Sequence, residues 1–164
     1  KNAHARFDAI SRTYEYHITK EKDVFSNEYS YNLNYSLNNI KINEAIKIII
    51  NNNDFKCFTK SKTDVTNYLC NILDSKWIEF EKKYVFEITA NRFLRNMVRS
   101  IVGTLIDVGL EKKSINSFKK IIMSKDRSMA GYSVPAKGLF LKRIKYPKEI
   151  FIWKKVIQAV KYLI

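Results

Sequence analysis

The stretch from Ile72 to Gly109 constrains the fold more than any other part of the chain. Ile72, Trp77, Ile78 and Phe80 lead into the charged triplet Glu81-Lys82-Lys83, and Tyr84 to Thr89 then alternates again. A period of two marks a strand with one buried face, and two such runs joined by a short polar turn read as an antiparallel hairpin. From Phe93 to Gly109 the beat changes. Leu94, Met97, Val98, Ile101, Leu105 and Val108 gather on one arc at about 100° per residue, which predicts a helix directly after the hairpin.

The remaining segments extend this pattern. Ser11 to Thr19 sets Tyr14, Tyr16 and Ile18 against Thr13, Glu15 and His17, so it is a strand with both tyrosines on one side. Asn27 to Asn39 reads as a loop, and Asn43 as the N-cap of a short helix over EAIKIIIN. Ser114 is the expected N-cap of a helix from Ile115 to Ser124, with Phe118, Ile121 and Ile122 as its apolar side. A Pro- and Gly-punctuated loop, Asp126 to Gly138, precedes a last strand, Leu139 to Lys145. Ile152, Val156, Ala159, Val160 and Leu163 then recur at helical spacing in the tail. Strands and hairpins followed by helices predict an α+β fold: a largely antiparallel sheet with helices packed on one face. The other face is left open, and in a basic protein RNA can lie there.

Composition narrows the partner. Thirty Lys and Arg stand against 16 Asp and Glu, a formal net charge of +14. Self-repulsion of that size favours a polyanionic partner, nucleic acid ahead of a membrane surface; the competing explanation is a plain lysine bias. Hydrophobic residues at 46% and aromatics at 13% support a globular domain of 164 residues rather than a disordered basic tail. No run is long enough to span a bilayer. Cys57, Cys70, His4 and His17 are too scattered for a metal site, and two reduced, buried thiols are expected.

The helix predicted over Phe93 to Gly109 has a second face. Arg92, Arg95 and Arg99 fall together at i, i+3 and i+7, with Gly103 beside them. All three are Arg in a chain where Lys is the commoner cation, and the planar guanidinium suits fork-shaped pairing with carboxylate or phosphate. A solvated helix face is the alternative. Gly103 would let a second backbone or a ligand approach closely.

Four segments, HARFDAISRTYEY at His4 to Tyr16, DFKCF at Asp54 to Phe58, FEITANRFLRNMVRSIVGTLIDVG at Phe86 to Gly109 and KDRSMAGYSVPAKGLFLKRIKYP at Lys125 to Pro147, occur in an order and spacing that resembles tRNA pseudouridine synthases of the TruA type. The resemblance implies a pseudouridine synthase fold with a ferredoxin-like, RRM-like lobe. It also implies isomerisation of uridine to pseudouridine in the anticodon arm of tRNA. In that family an aspartate attacks the uridine, and the base is detached, turned and rejoined through carbon. The implied roles fall on Tyr14, which stacks on the base and helps move its proton, on Arg99, which pairs with the aspartate, and on Leu139, which lines the base pocket. Arg6, Arg12, Arg92, Arg95 and Lys137 are the residues expected to face RNA. No metal or organic cofactor is implied, and a cytoplasmic homodimer is.

The family's nucleophile sits in an R-T-D-x-G-V-H segment ahead of HARF, and no such segment occurs here. Asp64 ends a T-D pair but lacks the following Gly and His, Asp107 lies off the Arg99 arc, and Asp126 belongs to the K-D-R turn. The chain opens on Lys1 without Met or an apolar leader. The expectation is the C-terminal portion of such an enzyme, inactive alone. A non-catalytic RNA-binding module and a ferredoxin-like protein-interaction domain are the competing readings.

Overall fold

The computed structural model describes residues 3–22, 24–60 and 65–150. The helical tail read from the sequence, and Asp64, lie outside the described residues.

Strand β1 (Ser11–Thr19) is central. One edge pairs antiparallel with β4 (Lys83–Ala90), which forms the expected hairpin with β3 (Ile72–Glu79). The other edge is shared: β5 (Leu139–Lys145) runs antiparallel along residues 11–16, and the two-residue β2 (Tyr31–Asn32) pairs parallel at Ile18 and Thr19. Helices α1 (Asn39–Ile50), α2 (Met97–Gly109) and α3 (Ile115–Ser124) cover one face, so the architecture is α+β with a mostly antiparallel sheet. Tyr16, Ile18, Tyr84, Phe86 and Ile88 from the sheet meet Ile42, Ile46 and Ile49 of α1 and Met97, Ile101 and Leu105 of α2 in one core. Each such side chain, fully withdrawn from water, contributes about 1.5–3 kcal/mol.

Two helix starts differ from the sequence expectation. Helix α1 begins at Asn39, five residues earlier than Asn43 as N-cap would place it, because the Asn38 side chain accepts the Lys41 amide at 3.2 Å and so satisfies an open helix donor. Asn43 is an exposed residue inside the helix. Helix α2 begins at Met97 and not at Phe93, because Asn96 adopts a left-handed backbone with φ 70°. Arg92 and Arg95 therefore precede the helix, and the three-arginine helical face does not form. Ser114 caps α3 as expected, accepting the Ser117 amide at 3.1 Å.

The sheet face opposite the helices carries charge of both signs. A bulge in β5 between the partners of Thr13 and Tyr14 aims Lys142 at Glu15 (2.7 Å) and at Glu87, which Lys76 also holds at 2.9 Å. Burial raises the Glu87 carboxyl pKa, but the hydrogen bonds from Lys142 and Lys76 outweigh it and bring it to about 2. The face thus carries a cluster of paired charges.

Candidate active-site cleft

Helix α2 is enclosed nearly all round. Of its residues only Arg99 and Asp107 are not buried. Burying a guanidinium's surroundings without giving it partners is costly, so what Arg99 touches is informative. Its Nε donates to the Val134 carbonyl at 2.6 Å, and the Val134 amide donates back to the Arg99 carbonyl at 3.3 Å. Both terminal nitrogens of the fork remain, and among the described residues no carboxylate is within ion-pair distance of them.

The partner segment 130–135 is a close-fitting strap. A Cβ on Gly103 would stand 1.9 Å from the Tyr132 carbonyl oxygen, and one on Gly131 would stand 2.8 Å from the Thr104 nitrogen. Two backbones meet there with no room for side chains, so the approach expected at Gly103 is by main chain and not by a ligand. Thr104 Oγ1 accepts the Gly131 amide at 2.8 Å and donates to the Ser100 carbonyl. The next residue, Pro135, offers its carbonyl to the Tyr16 hydroxyl at 2.7 Å. Burial pushes the Tyr16 phenol well above its usual pKa, and the Arg99 charge partly opposes that shift.

Tyr14 lies two residues from Tyr16 on the same, helix-packed side of β1, half-buried against the core. Its ring meets Phe93 edge-to-face, centroids 5.0 Å apart. Both line a cleft of about 800 Å³ whose walls also include Arg6, Phe7, Arg12 and Arg92. Arg99 and Leu139 are not among its walls. Leu139 sits across from Tyr16 in the β1–β5 register, so Leu139, Tyr16 and Arg99 gather beside the cleft that holds Tyr14.

The remaining arginines divide by what they hold. Arg12 donates to the carbonyls of Ala9 (3.1 Å) and Asn91 (2.7 Å), and to that of Arg6, pinning residues 6–9 to the cleft rim. Arg6 stands 5.6 Å from the centroid of Phe7, which is 74% exposed. Arg95 is exposed and Arg92 half-exposed on the turn before α2. Lys137 caps the Asn27 carbonyl at 2.6 Å and is exposed. Every ion pair among the described residues uses Lys or His17, and none uses an arginine. Asp107 pairs with Lys113 at 3.9 Å, and Asp126 caps its own turn through Ser128. Neither reaches Arg99.

Sequence reasoning missed Phe93, the strap contacts of Tyr16, and Asn96. The one signal for Asn96 was chemical: Asn tolerates the left-handed region, which delays the start of the helix. The described residues contain no group of three or more potential metal ligands. No described helix is long and apolar enough to cross a membrane.

Fold and cleft together define a class, an α+β domain with a cleft lined by Phe7, Tyr14 and Phe93 and by three arginines, Arg6, Arg12 and Arg92, none of them paired with a carboxylate among the described residues. The family model described as tRNA pseudouridine synthase matches residues 45–147, and the chain belongs to that family. Proteins named tRNA pseudouridine synthase A are similar along most of it: that of Bacteroides fragilis is 48% identical over 92% of this chain and 60% of the relative. That of Azobacteroides pseudotrichonymphae is 50% identical over 92% and 61%, and that of Bacillus subtilis 39% identical over 87% and 59%. The chain therefore spans about 60% of the length of the curated relatives it matches.

Proposed function

We propose that this chain supplies the guanidinium and the aromatic wall of a tRNA pseudouridine synthase active site, in a protein that isomerises uridine in the anticodon arm. The observation that carries the reading is Arg99: a guanidinium on an enclosed helix, held at Nε by a carbonyl, with its two terminal nitrogens left for a planar anion. That anion is the nucleophilic aspartate, contributed by a part of the protein other than the described residues. Tyr14 stacks on the target base from the neighbouring cleft and assists its proton transfer, its orientation supported by the Phe93 edge. Leu139 closes the base pocket beside Tyr16. Arg6, Arg92, Arg95 and Lys137 hold the RNA backbone, while Arg12 adds charge and fixes the rim.

The glycosidic bond is broken when the carboxylate attacks, and the same site must hold the detached base until it rejoins through carbon. A stacked tyrosine and the apolar Leu139 beside Tyr16 serve that retention. The relatives' name supports tRNA as the substrate class, and a cytoplasmic homodimer fits an enzyme of this kind, with one tRNA touching both subunits. The deciding experiment is Arg99→Lys in the full-length protein. A point-charge ammonium cannot reproduce the fork, so pseudouridine formation should fall on the order of 100-fold at saturating tRNA. An undiminished rate would sink the assignment.

A further inference from the structure

We propose that Arg127 is a positioning residue for Arg99, acting through the strap at residues 130–135; the inference rests on the reading of Arg99 given above. Arg99 carries a long side chain, and presenting both terminal nitrogens to one carboxylate requires that its direction be fixed. The fixed point is the Val134 carbonyl at its Nε. Whatever sets the place of that carbonyl sets the direction of the fork.

Val134 is fully buried and its neighbours are tied at close intervals. Gly131 lies backbone-to-backbone on Gly103 and Thr104, and Pro135 is held by Tyr16. Between these, the strap must turn through Tyr132 and Ser133, where no strand or helix pairing holds it. Arg127 fills that gap. Its Nη1 donates to the Gly131 carbonyl at 3.0 Å and more weakly to that of Ala130 at 3.5 Å, while its Nη2 donates to Ser133 Oγ at 2.9 Å. Asn96 Nδ2 reaches the same Ser133 oxygen, and Asn96 is the left-handed residue from which α2 starts. One guanidinium thus joins both ends of the strap's turn to the root of the helix that carries Arg99.

Arg127 is half-buried yet has no carboxylate among the described residues, so its charge is spent on neutral acceptors. Electrostatics does not explain that choice. A rigid planar fork spanning acceptors on residues 131 and 133 does, and a lysine, with one nitrogen, cannot span them.

The test uses the full-length protein with Arg127→Ala, Arg127→Lys and Ser133→Ala, read three ways. At saturating tRNA the single-turnover rate should fall about tenfold or more in Arg127→Ala, since sub-ångström misplacement of a reacting group has effects of this order. Arg127→Lys should fail to restore it. The tRNA Kd should stay within about twofold and keep its salt slope, because Arg127 does not touch phosphate. Amide hydrogen exchange at Gly131 and Val134 should quicken by about tenfold or more while α1 and β4 amides are unchanged. Ser133→Ala, a milder change should Arg127→Ala not fold, should show the same pattern. A weakened Kd with a shallower salt slope and an intact saturated rate would overturn the proposal in favour of direct RNA contact. Unchanged exchange at Gly131 and Val134 would overturn it whatever the activity. Quickened exchange and an unchanged rate, together with a harmless Arg99→Lys, would place the fault in the reading of Arg99 and not in the strap.

Discussion

At Gly103, two opposing effects of one methyl group can be compared directly. Replacing Gly by Ala inside a helix ordinarily stabilises by about 1 kcal/mol. Here the added carbon would sit 1.9 Å from a main-chain oxygen that has no flexible end to move away. The strap would have to lift, breaking the Thr104–Gly131 and Arg99–Val134 bonds at a cost of about 1 kcal/mol each and more for the buried groups left unsatisfied. Gly103→Ala should therefore lower stability by roughly 2–4 kcal/mol, read as a fall in thermal midpoint by circular dichroism. An equal or raised midpoint would mean that the contact is not close. The sequence pointed to this glycine as a site of approach, but Tyr132 is remote in the chain and only folding identifies it. The two cysteines were more fully legible. Desolvation pushes the Cys57 thiol up to about 12 and the Cys70 thiol up to about 11. Near pH 8 a soluble alkylating reagent should label neither until denaturant is added, since the thiolate is scarce and buried.

Single elements were read from the sequence in proportion to how local their determinants are. Strands β1 and β5 and helix α3 match their expected bounds, because alternation and a Ser cap are written in adjacent residues. The starts of α1 and α2 were not legible, since several asparagines compete as caps and the winner depends on what the helix packs against. Asn38 wins because its backbone amide also bonds the Gly109 carbonyl at the far end of α2 and its side chain meets Glu111. Accordingly Asn38→Ala should cost about 1 kcal/mol in denaturant titrations and Asn43→Ala almost nothing; the reverse ranking would restore the sequence-based start. The open sheet face was legible as open but not as a set of paired charges, because Lys142 arrives through a bulge that no periodicity announces. Its consequence is a pH dependence. The folded pKa of Glu87, about 2, lies below the ordinary 4.5, so its contribution is complete above about pH 4.5 and is lost as pH falls toward 2. With half-exposed lysines as partners the contribution is on the order of 2 kcal/mol. Glu87→Gln should lower stability at pH 7 by that amount and match the parent protein near pH 2. A constant difference across the range would assign the effect to packing.

For the whole molecule, a formal charge of +14 says that a polyanion is attracted but not where it lies. The ion-pair pattern divides the surface. Lysines 20, 41, 76, 82, 113, 125 and 142 are engaged with carboxylates, whereas the arginines around the cleft and before α2 are not. Counterions condensed on RNA are released only where a cation of the protein replaces them, so each phosphate contact adds about 0.7–0.9 to the slope of log affinity against log salt. In the full-length protein, Arg92→Ala and Arg95→Ala should each make the slope of tRNA binding shallower by nearly one. Lys142→Ala should not, because Lys142 already neutralises Glu15 and Glu87 and lies on the far face of the sheet. A cleft-side binding mode requires that contrast, since charge at large would make the three substitutions equivalent. If Lys142→Ala flattens the slope as much as Arg95→Ala, the RNA lies across the open sheet face instead, and the arginines before α2 need another partner.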